Sequence, residues 1–401
     1  MIDQLPLDIQ LFISSKLDAF DSFSFSLVVK KKFDVCLETV IKSRNELMWV
    51  SKYVGKYLVI DFESKTDVFK YGVSPKQHEL HMLSGVKAIK RVDFKTTDVS
   101  MLGDLQELNL FLSRVTDVSA LKNLHIISLE KTDVTDVSML GNIHTLNISR
   151  TEVNDISMLG NVHTLDISYT PVTNVSALVG VKHLKISRTR VEDVSALTGL
   201  LSLDCSETSV TDVSMLSNLT DLDISSTFVT NVNMLNKLVR LNCKLTGISD
   251  LSNLVKLKWL NCLKTSVTDL RNLTQLTYLE CSYNSDLTDL STLINLTELY
   301  CDSTGVTDVS MLTFLEKLYI VSTQISEVNS LERLVSLSCI GTRVTRVDNL
   351  RNLQLLNVKR TKVADVSMLT NLKYLGYYPE HTYIGSLAQM GVQLDTNIYY
   401  G

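Results

Sequence analysis

The chain has 401 residues, 45% hydrophobic and 21% charged, with a net charge of −5. Its 39 basic residues are spread along the sequence against 44 acidic ones, so it lacks the basic stripe that tracks phosphates, and nucleic acid is not expected as a partner. Residues 1–10 hold two acids among apolar residues, with no basic start and no long apolar run, which predicts neither a signal peptide nor a membrane span.

The first predicted elements, over residues 1–50, are helical. Ile9, Phe12, Ile13 and Leu17 follow a helical spacing, Pro6 suits a first turn, and Asp21 or Ser22 is placed to cap a second helix. The run "LPLDIQLFISSKLDAFDSFSFSLVVK" resembles an F-box: Leu5, Pro6, Asp8, Ile9, Ile13, Leu17, Asp18, Asp21, Phe23, Phe25, Leu27, Val28 and Lys30 fall at matching places, and Trp49 at that of the closing tryptophan. Gln10, Ser14 and Ser22 depart from it, being polar where the family is usually apolar. The resemblance implies that Leu5, Pro6, Ile9, Ile13, Leu17, Phe23, Leu27 and Val28 dock on a Skp-type linker protein and through it on a cullin. Ubiquitin chemistry would then belong to the partners, and this chain would hold a protein substrate close to them. The same segment also suits a plain helical cap on the array that follows. Lys30–Lys32 is read as a solvated face rather than an import signal.

Residues 51–85 connect the two parts, with a short isolated strand expected at Tyr57–Phe62. Leu83, Val86, Ile89 and Val92 then open a three-residue rhythm.

From 86 to 378 the chain repeats itself every 19 residues: Asp98, Asp117, Asp136, Asp155, Asn174, Asp193, Asp212, Asn231, Asp250 and Asp269, then, after one inserted residue, Asp289, Asp308, Glu327, Arg346 and Asp365. A period that strict means one small supersecondary unit stacked on itself, since each is too small to bury its apolar face alone. In the turn from Leu146, Leu146 and Ile148 alternate as in a strand, and Val153, Ile156, Leu159 and Val162 recur at a spacing too tight for a full α-helix. The pattern LxLxxTxVxDVSxLxxL resembles leucine-rich repeats of the internalin-like and SDS-type class. The resemblance implies an α/β repeat solenoid of about 15 turns, with a parallel β-sheet on the concave face and short 3₁₀ or extended returns on the convex one. Two departures stand out: the turn is shorter than the usual ~22 residues, and Thr132, Thr151, Thr170 and their successors stand where the family places Asn, which only Asn284 restores.

Placed on the repeat, several chemical candidates become structural. Cys205, Cys243, Cys262, Cys281, Cys301 and Cys339 occupy one column that other turns fill with Leu, Ile or Val, so they are expected as core thiols in a reducing compartment. Each turn offers one Asp, too few oxygens for calcium, and the Asp-x-Ser step is expected as an Asx turn with Ser as helix N-cap. No triad order, phosphate loop or zinc motif is present, so no catalysis, cofactor or metal is expected. His125, His144 and His163 share one column, either as an exposed polar row or as a metal clip or pH-sensitive patch.

On the concave face, residues 109–225 are small and polar, whereas the later turns carry aromatics. Trp259 and Tyr278 share the column before the strand leucine, Tyr300 and Tyr319 the column after it; Tyr283 joins from the strand exit and Tyr374 lies near the array's end. Such a cluster marks a substrate-binding surface, or else cross-strand pairs that only stabilise the sheet. Residues 379–401 lose the repeat and are expected to cap it, with a helix at Ser386–Met390 and a strand at Val392–Leu394. Together these features predict an intracellular, cytoplasmic adaptor, with the nucleus left open, or alternatively a stand-alone recognition scaffold.

Overall fold

The computed structural model describes residues 97–396 throughout, and ahead of them the backbone of four strands: β1 (Ser26–Lys30), β2 (Cys36–Val40), β3 (Leu58–Asp61) and β4 (Ala88–Arg91). The chain divides into two units, Met1–Val162 and His163–Gly401.

In the first unit, β1 pairs antiparallel with both β2 and β3, with Leu27 opposite Thr39 on one side and Ile60 on the other. This corrects the expected second helix: the run Ser-Leu-Val-Val-Lys carries paired β-branched residues, which lose side-chain freedom in a helix and suit a pleated strand. Leu27 and Val28 of the F-box-like set are thus strand residues. The expected helix over Ile9–Leu17, with Leu5, Pro6, Phe23 and Trp49, lies outside the described residues. Strand β3 forms where a strand is expected, but it is not isolated, because β4 continues from it in parallel. Then come β5 (Glu107–Asn109), β6 (Ile126–Ser128) and β7 (Thr145–Asn147), parallel and in register, with Leu108 beside Ile127 and Ile127 beside Leu146. Their returns pass through single 3₁₀ turns at Ser100–Leu102, Ser119–Leu121 and Ser138–Leu140.

The second unit is a parallel ladder: β8 (Thr164–Asp166), β9 (His183–Lys185), β10 (Ser202–Asp204), β11 (Asp221–Asp223), β12 (Arg240–Asn242), β13 (Trp259–Asn261), β14 (Tyr278–Glu280), β15 (Glu298–Tyr300), β16 (Lys317–Tyr319), β17 (Ser336–Ser338), β18 (Leu355–Asn357), β19 (Tyr374–Gly376) and β20 (Gln393–Asp395). Each strand sets its leucine beside the next strand's leucine. Among the described residues there is no α-helix, so the turn is β-strand and tight return alone.

A single turn explains the period. In that from Leu203, Leu203 and Cys205 point inward, and Val210, Val213, Leu216 and Leu219 line the return; all are buried. The strand ends because the residue after the next outward one turns left-handed: Arg188, Glu207, Ser226 and Leu245 all have φ between 54° and 59°. That residue's N–H still reaches the next turn, as Glu207 N–H does to Ser225 O at 2.9 Å, so the corner keeps its backbone bond. The Thr column closes it: Thr208 Oγ1 donates to Cys205 O and Thr151 Oγ1 to Ile148 O, each at 2.6 Å. One donor suffices to close the corner here. Asn284 does more, donating to Cys262 O at 2.8 Å and accepting from Thr265 N–H at 2.8 Å, and so spans two turns beside the inserted residue.

The aspartates act as expected: Asp212 Oδ1 accepts the Ser214 N–H at 2.8 Å, as Asp136 does from Ser138 at 2.9 Å. Serine, however, is not an N-cap. It is the first residue of the 3₁₀ turn, and the residue ahead of it, Val99, Val118 or Val137, makes no side-chain cap bond. An unforeseen asparagine column ties the returns, with Asn218, Asn295, Asn352 and Asn371 each donating to a carbonyl one turn back. At the far end, 3₁₀ turn Leu387–Met390 stops at Gly391, whose φ of 77° suits glycine, before β20. There Lys359 Nζ and Tyr374 Oη donate to Asp395 Oδ2 at 2.8 and 2.7 Å.

Candidate functional site

Residues flanking each strand leucine emerge on the same outward face, and in-register parallel pairing sets them beside their counterparts one strand away. In the second unit this builds an aromatic ladder. Trp259 and Tyr278 stack at 4.8 Å between ring centres with 9° between planes, and Tyr300 and Tyr319 at 4.7 Å and 14°. Tyr278 and Tyr300, from different columns, join the pairs at 5.6 Å and 42°. The Arg240 guanidinium covers the outer face of the stack, 3.6 Å from the Trp259 centre.

The charges in the column before the leucine are paired: Arg240 with Asp221 at 3.7 Å, and Lys317 with Glu298 at 3.0 Å. Tyr300 Oη lies 3.4 Å from Glu298 Oε2, and Tyr319 Oη 3.1 Å from Ser336 Oγ. Burial, with Glu298 alongside, pushes the Tyr300 phenol up to about 12, and burial also raises Tyr278. Both therefore remain neutral hydroxyls. Stacked in pairs and with the Tyr300 and Tyr319 hydroxyls held by Glu298 and Ser336, the ladder forms a preordered amphipathic ridge between paired charges.

The other expected site residues lie apart from it. Tyr283 sits at a left-handed strand exit, 62% exposed. Tyr374, three strands beyond Tyr319, holds Asp395. Arg240, which the sequence reading missed, was signalled by its place one turn before Trp259 in the same column. In the column after the leucine, Asp204 and Asp223 are outward polar residues as the sequence has them, and together with Glu280, which the sequence does not single out, they make no ion pair among the described residues.

The remaining candidates resolve as follows. His125 and His144 stack at 4.6 Å in the first unit, and in the second His163 lies 5.3 Å from His183. Among the described residues no group of three or more potential metal ligands converges. The six array cysteines are free and fully buried, and burial drives their thiols up, to about 12 at Cys262 and Cys339. Buried thiols so disfavoured as thiolates are poor nucleophiles, so their place in the core says nothing about the redox compartment. No helix of the described residues is long and apolar enough to cross a membrane. Open hollows of about 490 and 640 Å³ are lined by polar strand-exit and return residues such as Arg190, Glu192, Glu207 and Asn174, in turns away from the ladder.

These turns define a leucine-rich-repeat fold. The functional domain of InlJ from Listeria monocytogenes, which includes a cysteine ladder, superposes with a TM-score of 0.57 at 23% identity, over 69% of this chain and 68% of that one. A leucine-rich-repeat protein of Leptospira interrogans gives 0.52 at 17%, over 79% and 86%. The plant peptide hormone receptor RGFR1, in complex with RGF2, gives 0.52 at 16%, over 79% and 70%. No protein-family model and no curated protein matches the sequence.

Proposed function

We propose that the chain is a non-enzymatic recognition scaffold whose strand face, centred on Trp259, Tyr278, Tyr300 and Tyr319, captures a protein partner. The carrying observation is the ladder itself: large, preordered aromatic area with charges at its ends already paired, the make-up of a binding hot spot with its rim. A fold shared with a receptor in complex with RGF2 supports the reading. The opposing reading is that the rings only stabilise the sheet. Trp259→Ser with Tyr278→Ser separates the two. We expect at least tenfold weaker retention of the partner that the wild-type chain retains; unchanged retention with a lowered melting temperature would leave the ladder a purely structural role.

The finer reading, an F-box-type substrate receptor docking on a Skp-type linker protein and a cullin, rests on Leu5, Pro6, Ile9, Ile13, Leu17 and Phe23. Strand β1 counts against it, since it takes Leu27 and Val28 out of the helix that the reading requires. That reading requires co-purification of the full chain with a Skp-type protein, lost on Leu5→Ala with Ile9→Ala. No association under conditions that capture a known F-box protein would leave the stand-alone scaffold.

A further inference from the structure

Beside the aromatic ladder runs a row of carboxylates that, among the described residues, make no ion pair. The column after the strand leucine, from β10 to β16, reads Asp204, Asp223, Asn242, Asn261, Glu280, Tyr300, Tyr319, and Asp302 follows Tyr300 on the same face. Asp204 accepts from Ser206 N–H and Oγ at 3.0 and 2.6 Å, Asp223 from Ser225 N–H at 2.9 Å and Asn242 Nδ2 at 2.7 Å. Glu280 accepts from Ser282 N–H at 2.9 Å, and Asp302 from Val321 N–H at 2.6 Å. All these donors are neutral. Among the described residues none of the four carboxylates has a cation within ion-pair distance, although Lys185 and Lys244 stand on the same face. The neighbouring column differs, because there both Asp221 and Glu298 are paired.

The four acids are half-buried and like-charged. Burial raises the carboxyls of Asp204 and Asp302, Asp223 pushes Asp204 and Glu280 pushes Asp302 the same way, and the hydrogen bonds above, with the more distant Lys185 at Asp204, offset this only in part. Holding such a row without cations disfavours the free protein, and a cation supplied from outside would relieve it. The aromatic rings are the weaker candidates for that cation, because each stacked ring has one face against its partner and Trp259 has its other face under Arg240.

We propose that this face binds an extended, lysine- or arginine-bearing segment of a protein partner, laid across the strands from Asp204 to Tyr319. The inference rests on the partner-binding reading above and names the partner's chemistry. Asp223 and Glu280 stand three strands apart, about 14 Å at the usual strand spacing, which an extended chain covers in about four residues. One cation at Asp204 and Asp223 and a second at Glu280 and Asp302 therefore fit a single segment. Asn242 and Asn261 lie between them, where amides can meet a peptide backbone, and Tyr300 and Tyr319 lie beyond, where an apolar side chain can rest.

The test uses the full chain and labelled glycine–serine peptides of about a dozen residues, read by fluorescence anisotropy at low salt. One carries two lysines four residues apart followed by leucine, and its control carries glutamates instead. The lysine peptide is expected to bind at least tenfold more tightly than the control, and at least fivefold less tightly to the Asp223→Asn, Glu280→Gln chain. These substitutions relieve like-charge repulsion, so the variant is expected to melt no lower than wild type, which separates lost binding from lost folding. Equal binding of the two peptides, or binding unaffected by the acid substitutions, overturns the inference. If the acid variant keeps the peptide while Trp259→Ser with Tyr278→Ser loses it, the charge assignment falls and the docking face stands; if both variants keep it, both readings fall.

Discussion

At the scale of single residues, the repeat places side chains where their intrinsic preferences oppose the backbone. Each strand exit needs a left-handed residue, yet the column holds Leu112, Lys131, Arg150, Tyr169, Glu207, Ser226 and others, with glycine only at Gly341. A residue with a Cβ is less stable there by about 1 kcal/mol. Ser226→Gly is therefore expected to stabilise the fold by about 0.5–1 kcal/mol, and Gly341→Ala to destabilise it by about 1 kcal/mol, read from denaturant midpoints. That strain was invisible in the sequence, because outside glycine no residue type announces a positive φ. The Thr column was legible as a turn, though its partner was not: whether Thr208 Oγ1 met a carbonyl or an amide depended on how sharply the strand bent. The cysteines were legible from their column alone. Their burial predicts that iodoacetamide at pH 8 leaves the six array thiols unlabelled in the native chain and labels them once it is unfolded, as mass spectrometry of the digested protein would show.

At the scale of the strand and its return, the two sides of a turn respond to acid in opposite ways. On the return, Asp98, Asp136, Asp212 and Asp308 are held below the ordinary carboxylate range by the N–H of the serine two residues on, and Arg271 brings Asp269 to about 2. A depressed folded pKa stabilises above the unfolded value, and that contribution is lost as pH falls through the folded one. On the strand face, burial raises Asp204, Asp221 and Asp302. For these the folded state binds the proton first, so acidification through the window above the unfolded value, about 4, adds stability. The melting temperature is thus expected to hold or rise on acidification from neutral to about pH 4–5 and to fall below that. Asp204→Asn with Asp302→Asn should shrink the rise to the share of Asp221 and keep the acid limb; an unchanged profile would place those carboxylates in water. The sequence showed the return acids as turn chemistry because Asp-x-Ser is a local signal. It could not show the strand-face acids as strained, since their environment comes from residues 19 positions away.

At the scale of each whole unit, stacking makes stability a sum of neighbouring contacts, so a lesion acts mainly where it falls. The same logic explains what could be read in advance. The strand register, the leucine core and the aromatic columns all followed from counting in nineteens, whereas residues 26–40 lay outside the count, and there the β-branched run of β1 outweighed the helical spacing ahead of it. The last strand is a further exception to the repeat: β20 is held by Lys359 and Tyr374, both meeting Asp395, in place of an aspartate and threonine rhythm. The Lys359 and Asp395 side chains are only 7% and 19% exposed, so this ion pair lies largely out of water, unlike Arg271–Asp269 on the surface. Removing one partner of a buried pair leaves the other charge poorly solvated, at a cost of about 3 kcal/mol. Asp395→Ala is accordingly expected to speed hydrogen exchange of the β18 and β19 amides by about a hundredfold, the rate equivalent of that loss. Amides of β9 to β11, seven or more strands away, should change far less, because each turn contacts only its neighbours. Uniform acceleration along the second unit would mean that it unfolds as one cooperative block, and would locate its stability in the ladder as a whole rather than in successive turns.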